Sequence, residues 1–231
     1  MATSSAGKKK SALRQPDLQD DTLQLVADLD DFLELLETAA YDESTVEDYL
    51  VRGFTLPELD CRGISFRNVH FVNCRFIACQ FSKASFQQIV LENCDLSNCD
   101  FSDSYWGCCT LREIKGTGSL WKESSLHHLL LEQCQLRYAN FSGSLLEAVQ
   151  FQQCSLQEAS LSSCKHKQCL WDNCDCTRVD FFRTMLKNVD LSTCQMECIL
   201  LSDDLAELKG LTVSSFQAVE LARLLGINVK A

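Results

Sequence analysis

Large apolar residues recur at every fifth position through more than half of this 231-residue chain, and that period restricts the fold more than any other feature. Of the 29 positions from Cys61 to Leu201 whose numbers end in 1 or 6, 25 hold Phe, Leu, Trp or Met, including the unbroken run from Phe66 to Leu111. A second register, two residues earlier at each step, runs from Ile64 to Ile199, and its 28 residues are all Cys, Ser, Ala, Thr, Val, Ile or Leu. In extended backbone, residues two apart point to the same side, so a large and a small residue enter the interior together while the other three face solvent or turn. A period of five fits neither a helix nor a plain strand, so the chain turns a corner every five residues.

Units such as Cys94-Asp95-Leu96-Ser97-Asn98, Cys99-Asp100-Phe101-Ser102-Asp103, Ala139-Asn140-Phe141-Ser142-Gly143 and Val189-Asp190-Leu191-Ser192-Thr193 resemble the pentapeptide-repeat family, whose unit reads small, Asp or Asn, Leu or Phe, small polar, polar. The resemblance implies an all-β solenoid, a right-handed quadrilateral β-helix in which four units make one square coil. The register continues backward through Tyr49, Val51, Phe54, Leu56 and Leu59, for about eight coils. At about 4.8 Å per stacked strand the rod is roughly 38 Å long. The expected division is a disordered basic tail over 1–15, an acidic amphipathic helix over 16–42, the β-helix over 46–211, and a C-terminal dimerisation helix over 212–231.

No apolar run reaches the length of a membrane span and the first residues lack a signal peptide's apolar stretch, so a soluble, cytoplasmic protein is expected. The fifteen cysteines are then reduced thiols. Eleven sit in the small inward register, Cys74, Cys79, Cys94, Cys99, Cys109, Cys134, Cys154, Cys164, Cys169, Cys174 and Cys194, where a free cysteine serves as a small hydrophobe. If residues twenty apart stack, several of them form a ladder on one side of the rod. Cys164, His166, Cys169, Cys174 and Cys176 fall in inward registers of one coil and carry zinc-ligand chemistry. Their spacing matches no zinc motif, and inert packing with His166 satisfied by a neighbour accounts for them, so no metal is assigned. His127 and His128 fall in outward positions.

Near the N-terminus Val26, Leu29, Leu33, Leu36 and Ala40 follow helical spacing amid acidic residues, which fits a helix closing the open end of the solenoid or docking a partner. Ser214 or Ser215 can start a second helix that runs to Leu225 with Gly226 as its stop. Phe216, Val219, Leu221, Leu224 and Leu225 make that helix more apolar than a cap requires. The quinolone-resistance branch of the family ends similarly, and that resemblance implies a homodimer through this helix.

No nucleotide loop, nucleophile elbow or paired-carboxylate motif occurs, so no catalytic residue, enzyme activity or cofactor is expected. The resemblance to Qnr-type proteins implies a DNA-mimicking rod that binds DNA gyrase or topoisomerase IV and protects it from quinolones or gyrase poisons. The charges fit that only in part. Of the net charge of −11, residues 11–60 carry −12 and the coils 61–201 only −1, and such a chain does not bind nucleic acid directly. One face does carry an acidic stripe, Glu92, Glu113, Glu132, Asp172 and Asp190 against Arg112, net −4, while another, with Arg67, Lys165, Lys167 and Lys187 against Glu147, is net +3. The acidic face also presents outward apolar residues, Val90, Leu130 and Leu170, which suit a protein partner. The alternative is a general protein-interaction scaffold without a topoisomerase role.

Overall fold

The computed structural model describes residues 13–224 and 226–230. Residues twenty apart pair in parallel register along a solenoid. A first face stacks Thr45–Glu47, Ser65–Arg67 and Ser85–Gln87 and continues to Lys165–Lys167. A second stacks Tyr49–Arg52, His70–Val72 and Val90–Glu92 and continues to Leu170–Asp172. In two central coils the strand runs through the corner between these faces, as Tyr105–Arg112 and Ser125–Glu132. The other two faces are mostly single bridges, such as Arg75↔Asp95 and Gln80↔Asp100.

Regular strands span Thr45 to Asp172, about six turns against the eight expected. Beyond Asp172 the coil is continued by isolated bridges, Asp175↔Gln195 and Asp180↔Leu200. Then the register breaks. Asp190 pairs with Thr212, two residues later than the period requires, because a short 3-10 turn at Ala206–Leu208 enters the last coil.

The corners explain how so few glycines suffice. Residues whose numbers end in 3 or 8, two past each central residue, adopt the left-handed conformation, among them Asn73, Ala78, Asn93, Cys108, Glu113 and Ala148, with φ between 51° and 57°. An L-residue there is disfavoured by about 1–2 kcal/mol, and the coil compensates by giving most corner N–H groups a carbonyl nineteen residues on, as in Asn73 N–H to Glu92 O and Glu113 N–H to Glu132 O, while toward the C-terminal end Asn173 bonds Thr193 Oγ1 and Arg183 bonds the Glu207 carboxylate. On the bridge faces an Asp or Asn before the central residue accepts the N–H two residues later, as Asp95 does from Ser97, Asn140 from Ser142 and Asp175 from Thr177.

Inside, central residues stack on those twenty away. Phe66 lies on Phe86 at 5.2 Å, Phe86 on Trp106 at 4.0 Å, and Phe151 on Trp171 at 4.3 Å between ring centroids. The small register is more than filler. Its Sγ or Oγ donates to the carbonyl twenty-three residues earlier, as in Cys94 to Phe71, Cys134 to Leu111, Cys174 to Phe151 and Ser124 to Phe101. All fifteen cysteines are free thiols, thirteen of them buried. Burial pushes the thiols of Cys109 and Cys164 up to about 12 and that of Cys169 up to about 11.

The N-terminal segment is not one helix over 16–42. Residues 13–28 form an extended arm containing a 3-10 turn, Asp20–Thr22, and a short strand β1, Gln24–Leu25, that pairs with Tyr49–Leu50. Helix α1 spans Leu29–Asp42 and begins where the Asp28 side chain accepts the Asp31 N–H. It closes the end of the solenoid with Phe32, Leu36 and Ala39, a stripe rotated from the expected one: Leu29 and Ala40 are exposed, and Val26 is buried as part of the arm. Phe32 packs edge-on to Phe71 and against Phe54. Of the expected tail over 1–15, only residues 13–15 are among those described.

At the other end helix α2, Ser215–Leu224, is capped by Ser214, whose Oγ accepts the Gln217 N–H while Gln217 Oε1 accepts the Ser214 N–H. Gly226, at φ 73°, ends it: its N–H bonds Arg223 O and that of Ile227 bonds Ala222 O, a Schellman motif. Gln217 Nε2 fastens the helix to the last coil through the carbonyls of Leu191 and Cys194. No described helix is long and apolar enough to cross a membrane.

Candidate partner-binding face

The second face presents two outward columns, one on either side of its buried central residues. The first reads Glu92, Arg112, Glu132, Gln152 and Asp172, with parallel pairing placing each beside the next. Arg112 bridges its neighbours, Nη1 to Glu92 at 3.0 Å and Nε to Glu132 at 3.1 Å. Of the expected acidic stripe the structure therefore brings together Glu92, Glu132 and Asp172, with one cation between the first two. Glu113 lies at the adjoining corner. Asp190 falls in the other column and accepts the Ser192 N–H. Two of the five acids are thus outside the line, and two are ion-paired.

The other column holds Leu50, His70, Val90, Thr110, Leu130, Gln150 and Leu170. Val90 and Leu130, expected as an exposed apolar patch, point out of the solenoid yet are only 8% and 4% exposed, and Leu170 is half-buried. The reason is the arm, which runs along this column toward the N-terminal end. The Arg14 N–H meets His128 Nδ1, Asp17 N–H meets Gln88 Oε1, Asp20 meets His70, and β1 pairs at Leu50. Gln15, Pro16 and Leu18 share a cavity of about 160 Å³ with Val90, Glu92, Thr110 and Arg112.

His70 is the residue that the repeat pattern did not single out. It sits between two carboxylates, Nδ1 2.7 Å from Asp20 and Nε2 3.3 Å from Glu92, and Asp20 also pairs with Arg52 at 2.9 Å. The hydrogen bond from His70, then its charge and that of Arg52, hold the Asp20 carboxyl below the usual range despite partial desolvation. An outward position occupied by histidine amid Leu50, Val90 and Leu130 was the available signal.

The remaining candidates are scattered. His166 takes the place of a large apolar residue, but its Nε2 lies against the Met185 carbonyl oxygen, and a cavity of about 10 Å³ remains beside Leu146, Trp171 and Leu186. Among the described residues no group of three His, Cys, Asp or Glu side chains could hold a metal. His127 faces Glu147 at 3.4 Å, and Lys167 pairs with the same carboxylate at 2.6 Å. On α2, Phe216 is 85% exposed and Leu224 about half, Val219 and Leu221 are half-buried, and Leu225 lies outside the described residues.

Stacked square coils with aromatic and aliphatic columns inside and short polar side chains outside define a quadrilateral β-solenoid. The sequence pattern described as pentapeptide repeat region matches residues 91–161, and that of pentapeptide repeats in eight copies matches residues 60–98. Together the two matches span residues 60–161, and that part of the chain is built of pentapeptide repeats. Its fold is similar to a trypsin-treated form of QnrB1, a plasmid-mediated fluoroquinolone resistance protein, with 24% identity, TM-score 0.55, and 78% of this chain and 90% of that one covered. A second trypsin-treated form of QnrB1 matches with 21% identity, TM-score 0.48 and coverage of 79% and 90%. HetL of the cyanobacterium Nostoc sp. strain PCC 7120, a pentapeptide repeat protein involved in heterocyst differentiation regulation, matches with 17% identity, TM-score 0.26 and coverage of 79% and 96%. No curated protein matches the chain.

Proposed function

We propose that the chain is a binding rod, not an enzyme, and that its second face engages DNA gyrase or topoisomerase IV and shields it from quinolones or gyrase poisons. The observation that carries this reading is the line of outward carboxylates Glu92, Glu132 and Asp172 at fixed coil spacing on a straight, insertion-free face. Support comes from the likeness in fold to a fluoroquinolone resistance protein. Glu113 and Asp190 border that line and belong to the proposed surface. A homodimer through α2 belongs to the same proposal, with Phe216, Val219, Leu221, Leu224 and Leu225 as its contacts. The nearly bare Phe216 ring supports it, since a phenylalanine left in water forgoes about 2 kcal/mol of burial.

A scaffold for another protein is the second reading. Arg112 favours it: by pairing with Glu92 and Glu132 it takes a third from the line of charge that a DNA-binding enzyme would meet. The two readings separate in a gyrase supercoiling and cleavage assay, titrated with purified protein with and without ciprofloxacin. Inhibition or drug protection at low micromolar protein, lost when Glu92, Glu132 and Asp172 become lysine, is expected for the topoisomerase reading. Unchanged enzyme behaviour at all concentrations rejects it and leaves the scaffold.

A further inference from the structure

Strand β1 is the last strand of its sheet at the N-terminal end of the rod, and among the described residues it pairs only with Tyr49–Leu50. The ladder uses its neighbours in alternation: Gln24 N–H bonds Asp48 O at 2.8 Å and Val26 N–H bonds Leu50 O at 3.0 Å. Successive residues of a strand turn their backbone groups to opposite sides, so the N–H and C=O of Leu25 point away from Tyr49–Leu50 and form a free edge. The Leu25 side chain is 60% exposed. Beside this edge lies a groove of about 460 Å³ between β1 and α1, walled by Asp31, Glu34, Leu35 and Thr38 of the helix and by Tyr49. Those four helix positions fall at i, i+3, i+4 and i+7, so one stripe of α1 faces the edge. The charge of that stripe is unanswered. The arginines of this end are held elsewhere, Arg52 by Asp20, Arg62 by Asp60 and Arg67 by Glu47, and among the described residues Asp31 and Glu34 are in no ion pair. A second copy of the chain would bring the same acid to this edge, since residues 11–60 carry −12, and like charges set against each other oppose such a pairing.

We propose that the free edge of β1 and the groove under α1 are a docking site for an extended segment of another protein in which basic and apolar residues alternate. The backbone groups of Leu25 select the extended form, because a strand added to a sheet edge is what satisfies them. The alternation follows from the pleat. A residue set beside Leu25 points out of the rod, next to the exposed Leu25 and the column that begins at Leu50, and is apolar. The residues on either side of it point the other way, over Val26 and into the groove. There Asp31 and Glu34 take a lysine or arginine head, and Leu35 packs against the stem of that side chain. The site lies at the end of the rod, apart from the second face, and needs no topoisomerase.

The test uses the full chain and a short fluorescein-labelled peptide of alternating lysine and valine, with binding read by anisotropy and edge pairing by amide exchange at Leu25. One control peptide carries glutamate in place of lysine, and another holds the same lysines and valines in two blocks. The alternating peptide is expected to bind and to slow exchange at Leu25, the glutamate peptide to do neither, and the block peptide to leave Leu25 exchange unchanged. Asp31→Asn with Glu34→Gln weakens binding about ten-fold, the worth of two exposed ion pairs. Leu25→Pro removes the edge donor while leaving the Gln24 and Val26 bonds of the ladder in place, and it abolishes binding. Exchange at Gln24 and Val26 in that variant checks that β1 is still paired. No binding of the alternating peptide overturns the proposal. So does equal binding to Leu25→Pro, which would reduce the site to charge attraction, and so does Leu25 exchange in the wild type that saturating peptide leaves unchanged. Slow exchange at Leu25 before any peptide is added would mean that a second copy, or the chain's own Lys8, Lys9 and Lys10, holds the edge, and overturns the choice of occupant.

Discussion

Replacing Cys134 separates two accounts of why this chain carries so many cysteines. If the inward thiol is a small hydrophobe, alanine is the better substitute and serine the worse one, because a hydroxyl is buried at a cost. The structure argues the reverse. Cys134 is 1% exposed and its Sγ lies 3.4 Å from Leu111 O and 3.4 Å from Glu132 O, so the thiol is also the donor to backbone carbonyls of two successive levels. Ser124, in the same kind of slot, makes that bond at 2.7 Å to Phe101 O. Cys134→Ala removes the sulfur's burial, about 0.8 kcal/mol, and the donor, about 0.5–1.5 kcal/mol, for a loss of about 1–2 kcal/mol. Cys134→Ser removes the first and keeps the second, for a loss below about 1 kcal/mol. Urea unfolding followed by the fluorescence of buried Trp106 and Trp121, with reductant present, measures both. Expected is the order wild type, Ser, Ala, with Ala melting about 2–6 °C below wild type. An alanine variant as stable as the serine variant or more so refutes the donor role.

Other outcomes follow from the same geometry. In the native protein one thiol, exposed Cys198, should react at once with Ellman's reagent, half-buried Cys108 more slowly, and the thirteen buried ones only on unfolding; several fast thiols would mean that the coils open locally. His166→Leu should stabilise by about 0.5–1 kcal/mol by continuing the apolar column between Leu146 and Leu186, and a drop in the melting midpoint would show that the Met185 contact matters more. Phe216→Ser should convert a dimer to a monomer in light scattering, and an unchanged mass would place any self-association elsewhere. Glu207, 1% exposed, is pushed up by burial, but hydrogen bonds from Ser202 Oγ and the N–H groups of Arg183 and Ser202 outweigh this and hold its carboxyl below the usual range, as His70 and Arg52 hold that of Asp20. A lowered folded-state value adds stability above the ordinary carboxylate range and loses it as pH falls through the folded value, so amide protection of the last coil and of Gln24 and Val26 should be full at pH 6 and fall below about pH 4. Protection unchanged down to pH 2 would contradict both contacts.

The square coils, the stacking of residues twenty apart and the inward place of the cysteines were legible in the sequence. A period of five is a local rule that each unit obeys with its own side chains, and stacking repeats it without any long-range choice. The left-handed corners were half legible: scarce glycine showed that the turns are made another way, and only the ladder of corner N–H groups to the next coil shows what compensates them. What the tertiary structure decided lies where the period stops. Val26 joins the arm and not α1 because β1 finds the open edge at Tyr49–Leu50, a pairing across 25 residues that no periodicity announces. Val90 and Leu130 point outward as expected, yet they are covered, because the arm crosses from Arg14 at His128 to Asp20 at His70. Glu92 and Glu132 read as free acids until parallel pairing sets Arg112 between them. In each case the deciding contact joins residues at least twenty apart; for the arm, its partner is chosen by where the chain's end comes to rest on the finished rod, and for Arg112 by which side chains the stacked coils set side by side.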